Sequence, residues 1–226
     1  MNYLLKLSQV IKLLINVNSN KGFAFMVTFF YELVLFDIIR GTNTHLRNMR
    51  LIDQNSVHYV AVFTSTLKKI KKELKKIKST IEGEFVFFDL GSGKAKPIIY
   101  LSKYFKSSHF VGVEYDDELI GISKQNLKKT QSANCSIIKE DIRNVKNYVS
   151  KKTDFTLIFY LFIPCKKEPF ITIIEQIIKL NINKIFLIYV DPIYHEELCN
   201  RNFNLKYNYV GKYNSSTFNI YIHNME

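Results

Sequence analysis

The chain is short of cysteine, has no clustered histidines and contains no long apolar run, and each shortage removes a class of protein. Its 226 residues include three cysteines, Cys135, Cys165 and Cys199, odd in number and far apart, with no C-x-x-C. A disulfide scaffold calls for an even and closer set, and a zinc site for paired ligands. The five histidines supply no ligand spacing either, so no metal is expected and a reducing cytoplasm is the default compartment. A membrane span needs about 20 apolar residues. The longest candidate, residues 23–39, falls short and carries Glu32 and Asp37, which would be costly in hydrocarbon. No transmembrane segment is therefore expected. A signal peptide is not expected either, because the charged start is weak, Lys12 interrupts the apolar stretch and no small-residue cleavage site follows.

What is present fits a globular domain. Apolar residues make up 47% of the chain and the mean hydropathy is -0.05, and the length suits one domain with an N-terminal extension. The formal net charge of +12 suggests an anionic partner such as RNA or an acidic protein. The enrichment in Lys, Asn, Ile, Phe and Tyr is also what an AT-rich genome produces, which weakens that inference.

In the first 60 residues, Leu4, Leu7, Ile11 and Leu14 recur at helical spacing, giving an amphipathic helix over residues 1–17. A polar break over residues 16–22 precedes a second helix over 23–39, read as docked on the domain. Peripheral membrane contact through these two helices is the alternative. Residues 40–55 read as a connecting loop. These segments make up an N-terminal extension, residues 1–60, ahead of the main domain, residues 61–226. A helix over residues 64–81 carries Leu67, Ile70, Leu74, Ile77 and Ile81 in a stripe, with Lys68, Lys69, Lys71, Lys72, Lys75, Lys76 and Lys78 around it. Its bland reading is a helix solvated on one side. Its sharper reading is a platform for phosphates, although no aromatic or Arg is interleaved in the sequence.

The most informative stretch is residues 85–100, FVFFDLGSGKAKPIIY. A short apolar run ending in turn residues reads as a strand buried on both faces of a parallel sheet. Gly91 and Gly93 let the backbone bend and approach a ligand, and Pro97 suits the first turn of a helix. Strand, glycine turn and helix together place a nucleotide-like ligand at the carboxyl end of a sheet. A dinucleotide fingerprint would need a third glycine at position 96, which is Lys96.

Strands and helices then alternate. Residues 109–113 form a second strand ending in Glu114, about 20 residues past the turn, where an acid meets ribose hydroxyls. Tyr115 follows. A helix spans 117–129, and a third strand over 135–138 is closed by Glu140, Asp141 and Ile142. The fourth strand is 155–161, followed by a helix over 170–180 and a fifth strand over 184–190. His195 lies just beyond, either as a general base or as a surface-loop histidine. Residues 203–213 and 217–223 alternate as an antiparallel hairpin. The predicted fold is α/β: a seven-stranded, mostly parallel twisted sheet with a C-terminal antiparallel hairpin, helices on both faces and an N-terminal helical extension. Asp89, Glu114 and Asp141 all fall at carboxyl ends of parallel strands.

The segment from Asp89 to Ala95 resembles motif I of class I S-adenosylmethionine (SAM)-dependent methyltransferases, acidic-x-G-x-G-x-G, with Ala95 at the last glycine. From Gly41 onward the layout resembles bacterial members of that class, through Gly41-Thr42-Asn43-Thr44, Val57-His58-Tyr59, Asp89 to Ala95, Val111 to Glu114, and Phe162-Ile163-Pro164-Cys165. The resemblance implies SAM as cofactor, with Asp89, Gly91, Ser92, Gly93 and Lys94 at the methionine end, Glu114 at the ribose, Tyr115 against the adenine, and Asp141 and Ile142 at its polar edge. An acid in the turn suits an ammonium and not a pyrophosphate, which favours SAM over NAD. Ile163 replaces the polar residue that holds the acceptor nitrogen in amino-methylating relatives, so the acceptor (protein, RNA or small molecule) stays open. Tyr160 is the candidate to orient a nucleophile or take its proton. The alternatives are an inactive SAM-binding or regulatory module, and an RNA-binding protein using residues 68–78.

Overall fold

A computed structural model describes residues 27, 30–45, 59–149, 155–162, 165–182, 184–211 and 215–224. The expected helix over 1–17, the loop over 46–55, Val57, His58, Ile163 and Pro164 lie outside the described residues.

The strands are β1 (Phe85–Leu90), β2 (His109–Glu114), β3 (Cys135–Lys139), β4 (Thr156–Phe162), β5 (Lys184–Val190), β6 (Asn204–Tyr209) and β7 (Phe218–Asn224). They form one sheet in the order β3-β2-β1-β4-β5-β7-β6. The first five pair in parallel, and β7 runs antiparallel to both β5 and β6. The order reverses at β1, which has β2 on one side and β4 on the other. Open α/β sheets take their ligands at such a switch point, outside the carboxyl ends of the strands.

Alternation along the strands divides the core in two. Phe85, Phe87, Phe110, Ile158, Tyr160 and Ile188 face one layer, where they meet α1 (Leu35–Arg40), α2 (Thr64–Lys78) and α3 (Lys96–Ser102). Phe88, Leu90, Val113, Phe159, Leu161 and Tyr189 face the other, against α5 (Val145–Tyr148), α6 (Lys167–Ile178) and α7 (His195–Cys199). The remaining helix, α4 (Asp117–Thr130), is capped by Asp116, whose carboxylate accepts from the N–H groups of Glu118 and Leu119. The sixth helix begins at Lys167, three residues before the expected start. Its Pro169 lies in the first turn, where a missing N–H leaves no bond unmade.

The extension docks through specific bonds. A π-helical turn, Phe30–Val34, runs into α1, and its buried Glu32 accepts from the Ser65 N–H at 2.6 Å, placing a carboxylate on the open start of α2. The Glu32 carbonyl accepts from the Thr64 hydroxyl at 2.6 Å and from Lys96 Nζ at 3.0 Å. The stripe of α2 is buried as expected. Its lysines are not bare, however. Lys68, Lys69, Lys71 and Lys76 lie over the rings of Tyr31, Tyr209, Tyr104 and Tyr207, so the aromatics missing from the helix itself come from neighbouring elements. Among the described residues no helix is long and apolar enough to cross a membrane.

Candidate active site

The site grows from the end of β1. Asp89 pairs in register with Gly112 of β2 and Tyr160 of β4. Past Leu90 the ladder continues into the turn: the N–H groups of Gly91 and Ser92 both donate to the Val113 carbonyl, at 3.0 and 3.1 Å. Gly91 and Gly93 take positive φ, 76° and 52°, which glycine alone reaches without strain. Gly112 makes room for Ser92, since a β-carbon there would stand 2.6 Å from the serine Oγ.

Two carboxyls lie under this turn. Glu114 Oε2 accepts from the Gly93 N–H at 2.9 Å, and Oε1 accepts from the N–H groups of Tyr115 and Asp116 at 2.8 and 3.0 Å. Burial raises its pKa, and these bonds oppose the rise without cancelling it. The acid thus fastens the glycine turn to β2; Oε1 has both lone pairs engaged, and Oε2 keeps one for a ligand. Asp89 is more isolated. It is 2% exposed, its Oδ2 has no hydrogen-bond partner, and burial first, then the charge of Glu114, raises its pKa far above the usual carboxylate range. The Ser92 Oγ and the Tyr160 Oη are also buried without partners. Buried polar atoms are nearly always paired, which makes these three, at the ends of β1 and β4, candidates to meet a ligand.

The other expected residues fall around this cluster at varying range. Lys94 is buried, with its Nζ 5.4 Å from the centre of the Tyr59 ring. Tyr115 is half-buried at the end of β2. Asp141 follows β3, but its carboxylate accepts from the backbone N–H and the guanidinium of Arg143. Burial raises its pKa and the arginine bonds more than reverse that. An adenine amino group would therefore share this acid with Arg143. The Ile142 carbonyl accepts from the Tyr148 hydroxyl at 2.7 Å. Tyr160 is 1% exposed, and burial, then the charges of Asp89 and Asp191, push its phenol far up. It can donate a hydrogen bond but is a poor proton acceptor. His195 turns away from these groups and shares a hydrogen bond of 2.8 Å with the Tyr221 hydroxyl.

Sequence reasoning missed the N-terminal contribution, although two segments of the resemblance pointed to it. A β-carbon on Gly93 would overlap Cδ2 and Cε2 of Tyr59, so that edge of the ring lies against the glycine turn. The Tyr59 hydroxyl donates to the Thr44 carbonyl at 2.7 Å. Asn43 bonds to Asn126 of α4 through its N–H and its carbonyl, and Asn126 also donates to the Lys94 carbonyl at 3.1 Å. The described part of the segment read as a connecting loop, residues 41–45, is thus a strap beside the turn, folded around buried Asp37.

A family model described as a methyltransferase domain matches residues 81–215, and a comparison with curated proteins finds no match. Solved structures share the fold. An rRNA methylase from Streptococcus thermophilus superposes with a TM-score of 0.52 at 13% identity, covering 78% of this chain and 100% of that one. A putative rRNA methylase from Clostridium thermocellum gives 0.51 at 13%, covering 71% and 97%. Magnesium protoporphyrin IX methyltransferase from Synechocystis PCC 6803, solved with bound SAM, gives 0.52 at 14%, covering 70% and 78%.

Proposed function

We infer the reaction from one premise, that this chain belongs to the methyltransferase-domain family: it is a SAM-dependent methyltransferase, and the pocket at the end of β1 holds the methyl donor. The observation that carries the pocket assignment is Asp89, a buried carboxyl with an unpaired oxygen beneath a two-glycine bend. A carboxyl so placed fits the ammonium of an amino-acid moiety, whose charge would compensate the burial that raises its pKa. Glu114 offers the remaining lone pair of Oε2 to a ribose hydroxyl. Ile142 and Asp141 flank the adenine edge, and Tyr115 its face. Ser92 and Lys94 line the turn itself.

The bound donor supplies a methyl group already activated on a sulfonium, so the protein's part is orientation and exclusion of water. Gly91 and Gly93 bring backbone close to the ligand, and Tyr59 roofs the turn. Tyr160, next to Asp89 on the neighbouring strand, orients an incoming acceptor by donating its hydroxyl proton into a hydrogen bond. Three unpaired cysteines favour a reducing cytoplasm as its place of work.

One observation favours a nucleic-acid acceptor: the exposed lysines of α2 alternate with tyrosine rings from Tyr31, Tyr104, Tyr207 and Tyr209. A phosphate-bearing acceptor would meet this face, with strongly salt-dependent binding. The test is to incubate the purified protein with tritiated SAM and a lysate of the source cells, and to count protein, RNA and small-molecule fractions separately. Label in one fraction is expected. SAM that fails to bind by calorimetry would sink the cofactor reading.

A further inference from the structure

The strap beside the glycine turn contains a pair of groups that SAM binding does not use. Gly41, at φ 64°, turns the chain at the end of α1, and residues 42–45 fold back over Asp37. That carboxylate accepts from the Thr42 hydroxyl at 2.5 Å, the Thr44 N–H at 2.6 Å, the Thr44 hydroxyl at 2.9 Å and the His45 N–H at 2.9 Å. His45 Nδ1 lies 2.5 Å from Oδ2. Burial raises the Asp37 pKa, but the bonds from His45, Thr42 and the backbone outweigh it and hold the carboxyl at about 2. Asp37 is therefore an anion at neutral pH, and an anion at Nδ1 keeps the imidazole proton on that nitrogen. The lone pair is then on Nε2.

His45 is 8% exposed, and its Nε2 is buried with no hydrogen-bond partner. Of His45 itself, Nδ1 and the backbone N–H bond to Asp37, beside the bonds from Thr42 and Thr44. Leaving a second ring nitrogen buried and unpaired forfeits its hydrogen bond to water without a replacement. The strap that carries His45 also reaches the glycine turn. The preceding residue, Thr44, binds the Tyr59 hydroxyl, and the Tyr59 ring covers Gly93. Burial, then the charges of Asp37, Asp89 and Glu114, raises the Tyr59 phenol, so the strap's anion and the two acids of the donor pocket surround one ring.

We propose that Asp37 and His45 form the proton-accepting pair of the acceptor site, with His45 Nε2 receiving the proton of an acceptor whose nucleophile is an N–H or O–H group. This rests on the methyl-transfer reading. The nucleophile's lone pair forms the new bond to carbon, the carbon–sulfur bond breaks with its electrons going to sulfur, and the proton on the nucleophile passes to Nε2. The sulfonium charge is thereby exchanged for an imidazolium beside the Asp37 carboxylate. His45 is the catalytic residue and Asp37 the positioning one. Tyr160 cannot fill this role, since its surroundings disfavour negative charge. The pair also defines the acceptor class, excluding a thioether, which carries no proton.

The test compares wild type with His45→Gln, whose amide can keep the bond to Asp37 but cannot take a proton. SAM affinity by calorimetry and the melting temperature should stay near wild type. Tritium transfer into the labelled lysate fraction should fall about 100-fold, the scale of general-base catalysis. Transfer at the wild-type rate would overturn the proposal. So would transfer lost only in step with SAM affinity, or a wild type that binds SAM and labels no fraction. These outcomes leave the donor pocket standing, whereas absent SAM binding removes the pocket itself. If the variant fails to fold, nitrogen-15 NMR of the wild-type imidazole decides. A bare Nε2 beside a low-field Nδ1 proton supports the pair, and an Nε2–H tautomer rejects it.

Discussion

The ring of Tyr59 lies against Gly93 where any side chain would have to stand, so a residue of the N-terminal extension and the glycine turn at the end of β1 form one packed unit. Gly93→Ala should therefore cost at least about 2 kcal/mol in urea unfolding, from the left-handed φ of 52° together with the collision. Pairing it with Tyr59→Ala should recover the collision part, so the double-mutant cycle gives a coupling of roughly 1 kcal/mol or more. Additive costs would mean the ring moves aside freely.

Asp89→Asn should leave stability unchanged or raise it, because a buried carboxyl that resists ionisation is replaced by a neutral amide. SAM affinity should drop by about 100-fold. In the wild type, a cation bound at Asp89 forces that carboxyl to ionise, so binding releases a proton and affinity falls as the pH is lowered. Calorimetry in two buffers of different ionisation enthalpy measures the release, and equal heats in both would contradict the assignment.

Lys96 is fully buried, and burial lowers its amine to about 7 against the opposing pull of Asp37 and Glu32. A folded-state value depressed below the unfolded one means the unfolded chain holds more protons between pH 7 and 10. Stability contributed by this group therefore rises across that window and is at its lowest below pH 7. Lys96→Met should remove the rise. The Glu32 carbonyl keeps the Thr64 hydroxyl as a donor, so the variant should fold. The readout is the urea midpoint of both proteins at pH 6, 8 and 9.5.

Glu32→Ala strips the carboxylate from the start of α2 and should cost about 1–2 kcal/mol, within the range for a lost helix cap. Because the same residue anchors the extension, limited proteolysis should cut before residue 60 sooner than in the wild type. Unchanged cleavage would show that Lys96 and Phe36 hold the extension without it.

Much of this architecture was legible in the chain because buried parallel strands announce themselves as continuous apolar runs. The runs at 85–88, 109–113, 155–161 and 184–190 read that way, and they fall on β1, β2, β4 and β5 to within two residues at either end. The glycine turn was equally visible, since Gly91-Ser92-Gly93 has few other uses between a strand and a helix. The strap was not. Asp37 sits in an apolar helix and reads as a membrane-excluding charge. Its five bonds depend on Gly41 reversing the chain, which periodicity does not encode. Asp141 shows the opposite limit: its position was readable, but the arginine two residues on was not recognised as its partner. Ala95 is a third case. It stands at the last glycine of the motif and is fully buried at φ 67°, so the cost of replacing glycine lies in the backbone and the methyl itself contributes packing.

The strand order has a consequence for the nascent chain. The outer edge of β5 is claimed by β7, and β6 reaches the sheet only by pairing with β7. During synthesis β6 therefore emerges with nothing to join, and β5 keeps a raw hydrogen-bonding edge until residues 218–224 leave the ribosome. Such an edge invites strands from other molecules. A truncation before residue 218 should accordingly be prone to clumping, even though every residue of the donor pocket has already been made.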